Sequence, residues 1–93
     1  MNIQHQQNGN RGSFFVEEGA KHIAEMVYVM AGAQRMIIEH TEVDESLQGQ
    51  GVGMKLLEAL VDFVRKENIK VIPLCPFAKA SFRKREDLQD VLN

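Results

Sequence analysis

The sequence predicts an α/β (α+β) domain: a compact mixed sheet with an N-terminal antiparallel meander, one central helix after a glycine loop, a further strand, and short C-terminal helices. Three observations carry this. β-branched and aromatic residues recur in short runs up to Val43, the apolar spacing turns helical from Gly51, and a short, mostly apolar run from Ile69 to Cys75 follows.

Residues 1–12, "MNIQHQQNGNRG", are rich in Gln, Asn and Gly and offer too little apolar area to offset the entropy of ordering them. They read as a disordered tail, with residues 13–93 as a single domain. The runs "SFFVEE" (Ser13 to Glu18), "KHIAEMVYVMA" (Lys21 to Ala31) and "QRMIIEHTEV" (Gln34 to Val43) are separated by Glu18-Gly19 and Gly32-Ala33, which suits hairpins between three antiparallel strands. Residues 20–30 contain Ala, Glu and Met and also suit a helix; the strand reading is preferred.

From Gly51 onward Val52, Leu56, Leu57, Leu60, Phe63 and Val64 fall at spacings of one, three or four, while Lys55, Glu58, Asp62, Arg65 and Lys66 fall mostly on the other face. Arg65 and Lys66 sit where the helix dipole is negative, and Asn68 suits a left-handed residue past the end. "IKVIPLC" (Ile69 to Cys75) then reads as a buried strand. Strand, helix and strand beside a meander imply a parallel neighbour within a mixed sheet. Pro76 suits a first helical turn, so the remainder reads as one or two short helices.

Composition excludes more than it identifies. Eleven Lys plus Arg against thirteen Asp plus Glu give a formal charge of -2, which argues against a nucleic-acid partner. The single cysteine, Cys75, rules out an intramolecular disulfide, and His5, His22 and His40 lie too far apart in sequence for a local zinc motif, so no metal is expected. The first residues lack the apolar core of a signal peptide, and no run approaches the roughly 20 apolar residues that span a bilayer. The expectation is a cytoplasmic protein without a membrane partner.

The stretch "LQGQGVGMKLLEAL" places Gly49, Gly51 and Gly53 at the entrance of the central helix, where a Ser, Thr, Asp or Asn would cap better. A helix N-terminus has unpaired N–H groups and partial positive charge, so it takes an anion if the backbone can be approached. Missing Cβ atoms open that approach and permit unusual turns. The stretch therefore reads as a phosphate cradle; the competing reading is a flexible loop before a poorly capped helix. The dinucleotide fingerprint fails because Leu56 stands where its third glycine belongs, and the Walker pattern fails because Met54, Lys55 and Leu56 follow Gly53.

Gln48-x-x-Gly51-x-Gly53 resembles the Arg/Gln-x-x-Gly-x-Gly/Ala signature of the GNAT superfamily, the acetyl-coenzyme A dependent N-acetyltransferases. "HTEVDESLQGQGVGMKLLEAL" with "IKVIPLCPFAKASF" is similar to its small single-domain members, over about residues 13 to 90. The resemblance implies that the amides of Gln48, Gly49, Gln50, Gly51, Val52 and Gly53 hold the coenzyme A pyrophosphate. It also implies that Thr41, Glu42 and Val43, on a strand splayed from its neighbour, pair with the pantetheine arm like an added strand. Lys55 and Lys79 are candidates to screen phosphate charge, or are simply solvated.

Acetyl transfer from a thioester needs a neutral amine, a donor for the developing oxyanion and often an acid for the leaving thiolate. His40 and Glu42 share a face of a regular strand and are candidate bases; alternatively Glu42 belongs to a solvated acidic run and His40 is an ordinary strand residue. The superfamily commonly places a tyrosine acid in the last helix, but Phe82 matches that position, and the only tyrosine, Tyr28, lies in an early strand as core or sheet surface. Cys75 ends a strand near the expected thioester sulfur and precedes a helix whose N-terminus favours a thiolate. It reads as nucleophile, acid, cofactor contact or packing residue.

Larger superfamily members wall the acceptor site with two helices between their first two strands, and Ser13 to Lys21 leaves no room for them. An open site favours a lysine or N-terminal amine on a protein or peptide over an enclosed metabolite. Two readings follow: an N-acetyltransferase with coenzyme A thioester and an unidentified amine as partners, and a coenzyme A-binding sensor or partner module without turnover. A generic nucleotide-phosphate binder is a third.

Overall fold

Tight turns at Gly9, Gly19 and Gly32, each with positive φ, fold the first half of the chain back and forth into antiparallel strands. The structure, a computed structural model describing residues 1–93, has strands β1 (Gln4–Asn8), β2 (Arg11–Glu18), β3 (Lys21–Met30) and β4 (Arg35–Val43), helix α1 (Val52–Glu67), strand β5 (Lys70–Pro73) and helix α2 (Pro76–Lys84). Short 3-10 segments at Glu45–Leu47 and Glu86–Val91 complete it. The five strands lie in sequence order, all antiparallel except β4 with β5. This is the mixed sheet expected from the sequence, and residues 20–30 are strand: buried Ala24, Met26 and Tyr28 alternate with half-buried neighbours, a period of two that no helix produces.

Residues 1–12 are not a tail. Gln4–Asn8 pairs along β2, and β2 itself begins at Arg11. The reason is on the helix-facing side of β1. Gly12 has no side chain opposite Tyr28, and a Cβ there would lie 2.4 Å from the tyrosine oxygen. The Tyr28 side chain thus crosses β2 to reach β1, where its hydroxyl stands 2.6 Å from His5 Nε2 and donates to Gln7 Oε1 at 3.2 Å. The His5 ring stacks on Phe14 at 4.1 Å and meets Phe63 edge-on at 4.5 Å. Aromatic packing by a histidine and hydrogen bonding by a glutamine replace the apolar residues whose scarcity suggested disorder.

Both helices pack on one face of the sheet. Leu56, Leu57, Leu60, Val61 and Val64 of α1 enter one apolar cluster with Met26, Tyr28, Met36, Ile38 and Val71 from the strands and Ala78 and Phe82 from α2. Asn68 ends α1 at φ 57°, and its N–H bonds to Val64 O. No helix is long and apolar enough to cross a membrane.

A bulge in β4 positions everything that follows. Val27 pairs with His40 while Tyr28 pairs with Ile38, so Glu39 is an extra residue. In a regular strand His40 and Glu42 would continue the buried face of Met36 and Ile38. The bulge reverses the alternation, turning Thr41 and Val43 toward the helices and His40 and Glu42 to the open face.

Candidate functional site

The loop after β4 spends the amides of Ser46, Leu47, Gln48 and Gln50 on its own turns and leaves those at the start of α1 free. Asp44 caps the 3-10 turn, and hydrogen bonds from the Ser46 hydroxyl and amide hold its carboxyl below the usual range. Gln48 returns its side-chain amide to Val43 O at 3.1 Å, fixing the loop to the strand end. Gly49 (φ 80°) and Gly51 (φ 71°) are left-handed, with open space where a Cβ would stand. Gly51 is the N-cap of α1 and gives it no side-chain cap, and the first turn contains no acidic residue. The amide of Lys55 is bonded to Gly51 O, so the amides before it enter the helix without intrahelical acceptors. Uncapped amides, no competing carboxylate and clear space fit a phosphate-bearing group.

Gly53 has a different reason from the other two. Its φ is not positive, and a Cβ there would stand 2.8 Å from Cζ of Phe77. It admits the Phe77 ring onto the first turn of α1, which ties the N-termini of the two helices together.

Across from the loop, β4 and β5 part. Their pairing ends at Ile38 with Pro73, and Leu74 and Cys75 both donate their amides to Ile38 O, at 2.9 and 3.2 Å. Residues 39–43 have no β5 partner, so the β4 edge facing the gap is free for an extended ligand. Cys75 is buried at this vertex. Its Sγ lies 3.4 Å from Thr41 Oγ1 and accepts from the Ala78 amide at 3.4 Å as the N-cap of α2. Hydroxyl and helix amide converge on one sulfur, an arrangement suited to stabilising negative charge.

A cleft of about 580 Å³ runs from this gap to the loop. Of the sequence candidates it brings together Thr41, Val43, Gln48, Gly49, Gly51, Val52 and Gly53. Cys75 adjoins it through Thr41. Gln50, Lys55 and Lys79 are exposed and do not line it. His40 and Glu42 sit together on the opposite face of the sheet, 3.0 Å apart, with side chains 51% and 75% exposed. Phe82, at the position of the expected tyrosine, is buried in the core, as is Tyr28.

The far wall was not legible in advance. Phe77, Ser81 and Lys84 of α2 and Arg85 just past its end line the cleft, and the spacing of four and three within the helix marks one face. Arg85 is held by Glu58 and Asp87, at 3.0 and 2.8 Å, and their carboxylates raise its pKa. Lys84 makes no ion pair and is the free cation of the cleft.

Comparison with known proteins agrees with this geometry. The sequence profile of the GCN5-related N-acetyl-transferase family matches residues 13–91. Protein NATD1 of Gallus gallus is 31% identical over 74 residues, 78% of this chain and 67% of that one. The chain spans about half the length of the proteins of that name from Xenopus tropicalis (48%), Mus musculus (47%) and Homo sapiens (46%). A GCN5-like protein of Staphylococcus aureus, solved in solution by NMR, superposes with a TM-score of 0.74 at 37% identity, covering 99% of this chain and 89% of that one. An acetyltransferase from Elizabethkingia anophelis with acetyl-CoA bound shares the fold, at TM-score 0.61 and 15% identity over 81% of this chain and 52% of that one. With the profile matched over most of its length, this chain belongs to the GCN5-related N-acetyltransferase family.

Proposed function

We propose that this chain binds acetyl-coenzyme A in the cleft and transfers the acetyl group to a primary amine on a protein or peptide. The observation that carries this reading is the conjunction at the two ends of one cleft: an uncapped, acid-free helix N-terminus at one, and the Thr41–Cys75 pair beside an unpaired strand edge at the other.

The free amides of Gly51, Val52 and Gly53, with Gln48 and Gly49 shaping the approach, would hold the pyrophosphate. Lys84 would supply positive charge to the remaining phosphate. The open edge at Thr41–Val43 would pair with the pantetheine arm as an added strand. The bound cofactor supplies an activated acetyl thioester. On the helix side of the gap Cys75 Sγ can hold a proton for a departing thiolate or act as the acyl acceptor, with Thr41 and the Ala78 amide stabilising charge on the sulfur. On the open side His40, oriented by Glu42, can take a proton from an amine entering through the gap.

The test is calorimetric titration with acetyl-coenzyme A, coenzyme A and ATP, then intact-mass analysis and a thiol-release assay over lysine-containing peptides. Selective coenzyme A binding with release of thiol in the presence of a peptide is expected. An adduct of one acetyl group, absent in Cys75→Ala, would assign the covalent route to the sulfur. Binding with no turnover on any amine would leave a coenzyme A-binding module, and ATP competing equally would remove the coenzyme A assignment.

A further inference from the structure

The cleft changes character along α2. Val43, Leu47, Val52, Met54 and Phe77 give it apolar walls, whereas Ser81, Lys84 and Arg85 bring a hydroxyl and two cations, and no Asp or Glu lines it. Ser81 is only 8% exposed. A serine inside a helix either turns to solvent or bonds the carbonyl four residues earlier. The Ser81 hydroxyl has no hydrogen bond to Phe77 O or to any other group of the protein, and the surface it keeps belongs to the cleft. A nearly buried hydroxyl without a partner is costly in the free protein and available to a ligand.

Position along the helix decides which part of a ligand this hydroxyl meets. α2 begins at Cys75, at the vertex of the gap, and Phe77 lies against Gly53 in the first turn of α1, where the free amides are. Ser81 comes one turn, about 6 Å, further from the gap, and Lys84 a further 4–5 Å or about that. Coenzyme A with its thioester in the gap and its pyrophosphate on α1 carries its ribose beyond the pyrophosphate, and the anionic group there is the 3′-phosphate. This monoester bears close to two negative charges at neutral pH. Arg85 is already shared between Glu58 and Asp87. Lys84, with no carboxylate partner, is the cation able to turn wholly to the phosphate.

We propose that Ser81 and Lys84 form a subsite for the ribose 3′-phosphate, so that the chain selects coenzyme A over its 3′-dephospho form. The Ser81 hydroxyl donates to a phosphate oxygen, and the Lys84 ammonium supplies the opposing charge. The selection rests on coenzyme A being the ligand of the cleft, but not on acetyl transfer. Contact of the same two side chains with the adenine or the pyrophosphate would give no discrimination, because both forms carry those groups.

The full chain is titrated calorimetrically with coenzyme A and with 3′-dephospho-coenzyme A. Coenzyme A is expected to bind about tenfold more tightly, by a margin that shrinks as salt is added. Lys84→Met should cut the margin to about twofold, and Ser81→Ala should cut it about threefold, each by weakening coenzyme A alone. Binding of the dephospho form then shows that both variants fold, as expected of an alanine that suits a helix better than serine. Equal affinities in the native chain overturn the proposal. So does a loss in either variant that falls equally on the two ligands, which would assign the side chain to a group they share. Failure of both ligands to bind refutes the coenzyme A reading and the subsite together. A margin lost in the variants of a chain that acetylates no amine refutes the enzyme reading alone, and transfer from the two acetylated forms with equal KM refutes the subsite alone.

Discussion

The Thr41 hydroxyl oxygen and the Cys75 sulfur stand 3.4 Å apart on the helix side of the gap between β4 and β5. Cys75 is anchored before the Glu39 bulge, by its amide on Ile38 O, but Thr41 reaches it only because the bulge turns Thr41 inward and sends His40 and Glu42 outward. Acid and base candidates are thereby held on opposite sides of one strand. Thr41→Val preserves the shape of the side chain and removes the hydroxyl. If the pair handles charge at the sulfur, kcat should fall about tenfold while KM for acetyl-coenzyme A holds. An unchanged kcat in steady-state thiol release would reduce the contact to packing.

Gly51→Val separates the cradle from the chemistry. At φ 71° the N-cap of α1 is left-handed, a conformation a β-branched residue resists at a cost of about 1–3 kcal/mol. Coenzyme A affinity should drop about tenfold or more in a variant that remains folded by circular dichroism. Calorimetry decides it: native affinity in the folded variant would show that the loop amides do not hold phosphate.

Gly53→Ala should behave differently because its backbone is unstrained. Alanine is the better helix former by about 1 kcal/mol, and the obstacle, 2.8 Å away, is the far end of a side chain that is 39% exposed and can swing aside. Thermal stability should therefore change little. Coenzyme A affinity should fall, because the displaced Phe77 ring moves within the cleft it lines. In a Phe77→Ala background the same substitution should have almost no effect on affinity, and a double-mutant cycle measures that coupling. Additive effects would mean the ring is not what Gly53 accommodates.

The elements that could be read from the chain were those whose signal is local. Leu56, Leu57, Leu60 and Val64 repeat with the helical period, Asn68 suits a left-handed cap, and the strands show β-branched runs between glycine turns. What could not be read depends on partners distant in sequence. β1 is held by Tyr28 and Phe63, from 21 to 58 residues away, through polar and histidine side chains that carry no apolar signal. The bulge at Glu39 is set by the pairing with β3, so alternation within β4 alone misassigns the faces. Lys84 and Arg85 reach the cleft only through the docking angle of α2, which helical spacing does not specify.

The clasp between β1 and the body of the sheet should respond to pH, and its sign follows from His5. Partial desolvation of the ring where it packs on Phe14 and Phe63 lowers the pKa of this imidazole from the ordinary value of 6.5. As pH falls below 6.5 the unfolded or undocked strand binds a proton that the docked strand refuses. The contribution of His5 is therefore fully present above 6.5 and is lost as pH falls through the lowered native pKa. Below that value both states are protonated and the loss levels off. Hydrogen exchange of the β1 amides, corrected for intrinsic rates, should quicken relative to β3 on acidification. His5→Phe keeps the ring stack and removes the titration, so its β1 amides should lose this dependence. Tyr28→Phe should loosen β1 at every pH, by about 0.5–1.5 kcal/mol, because it leaves His5 and Gln7 without their common partner. If β1 protection in the native chain were flat from neutral to acidic pH, His5 would be a stacked ring and nothing more.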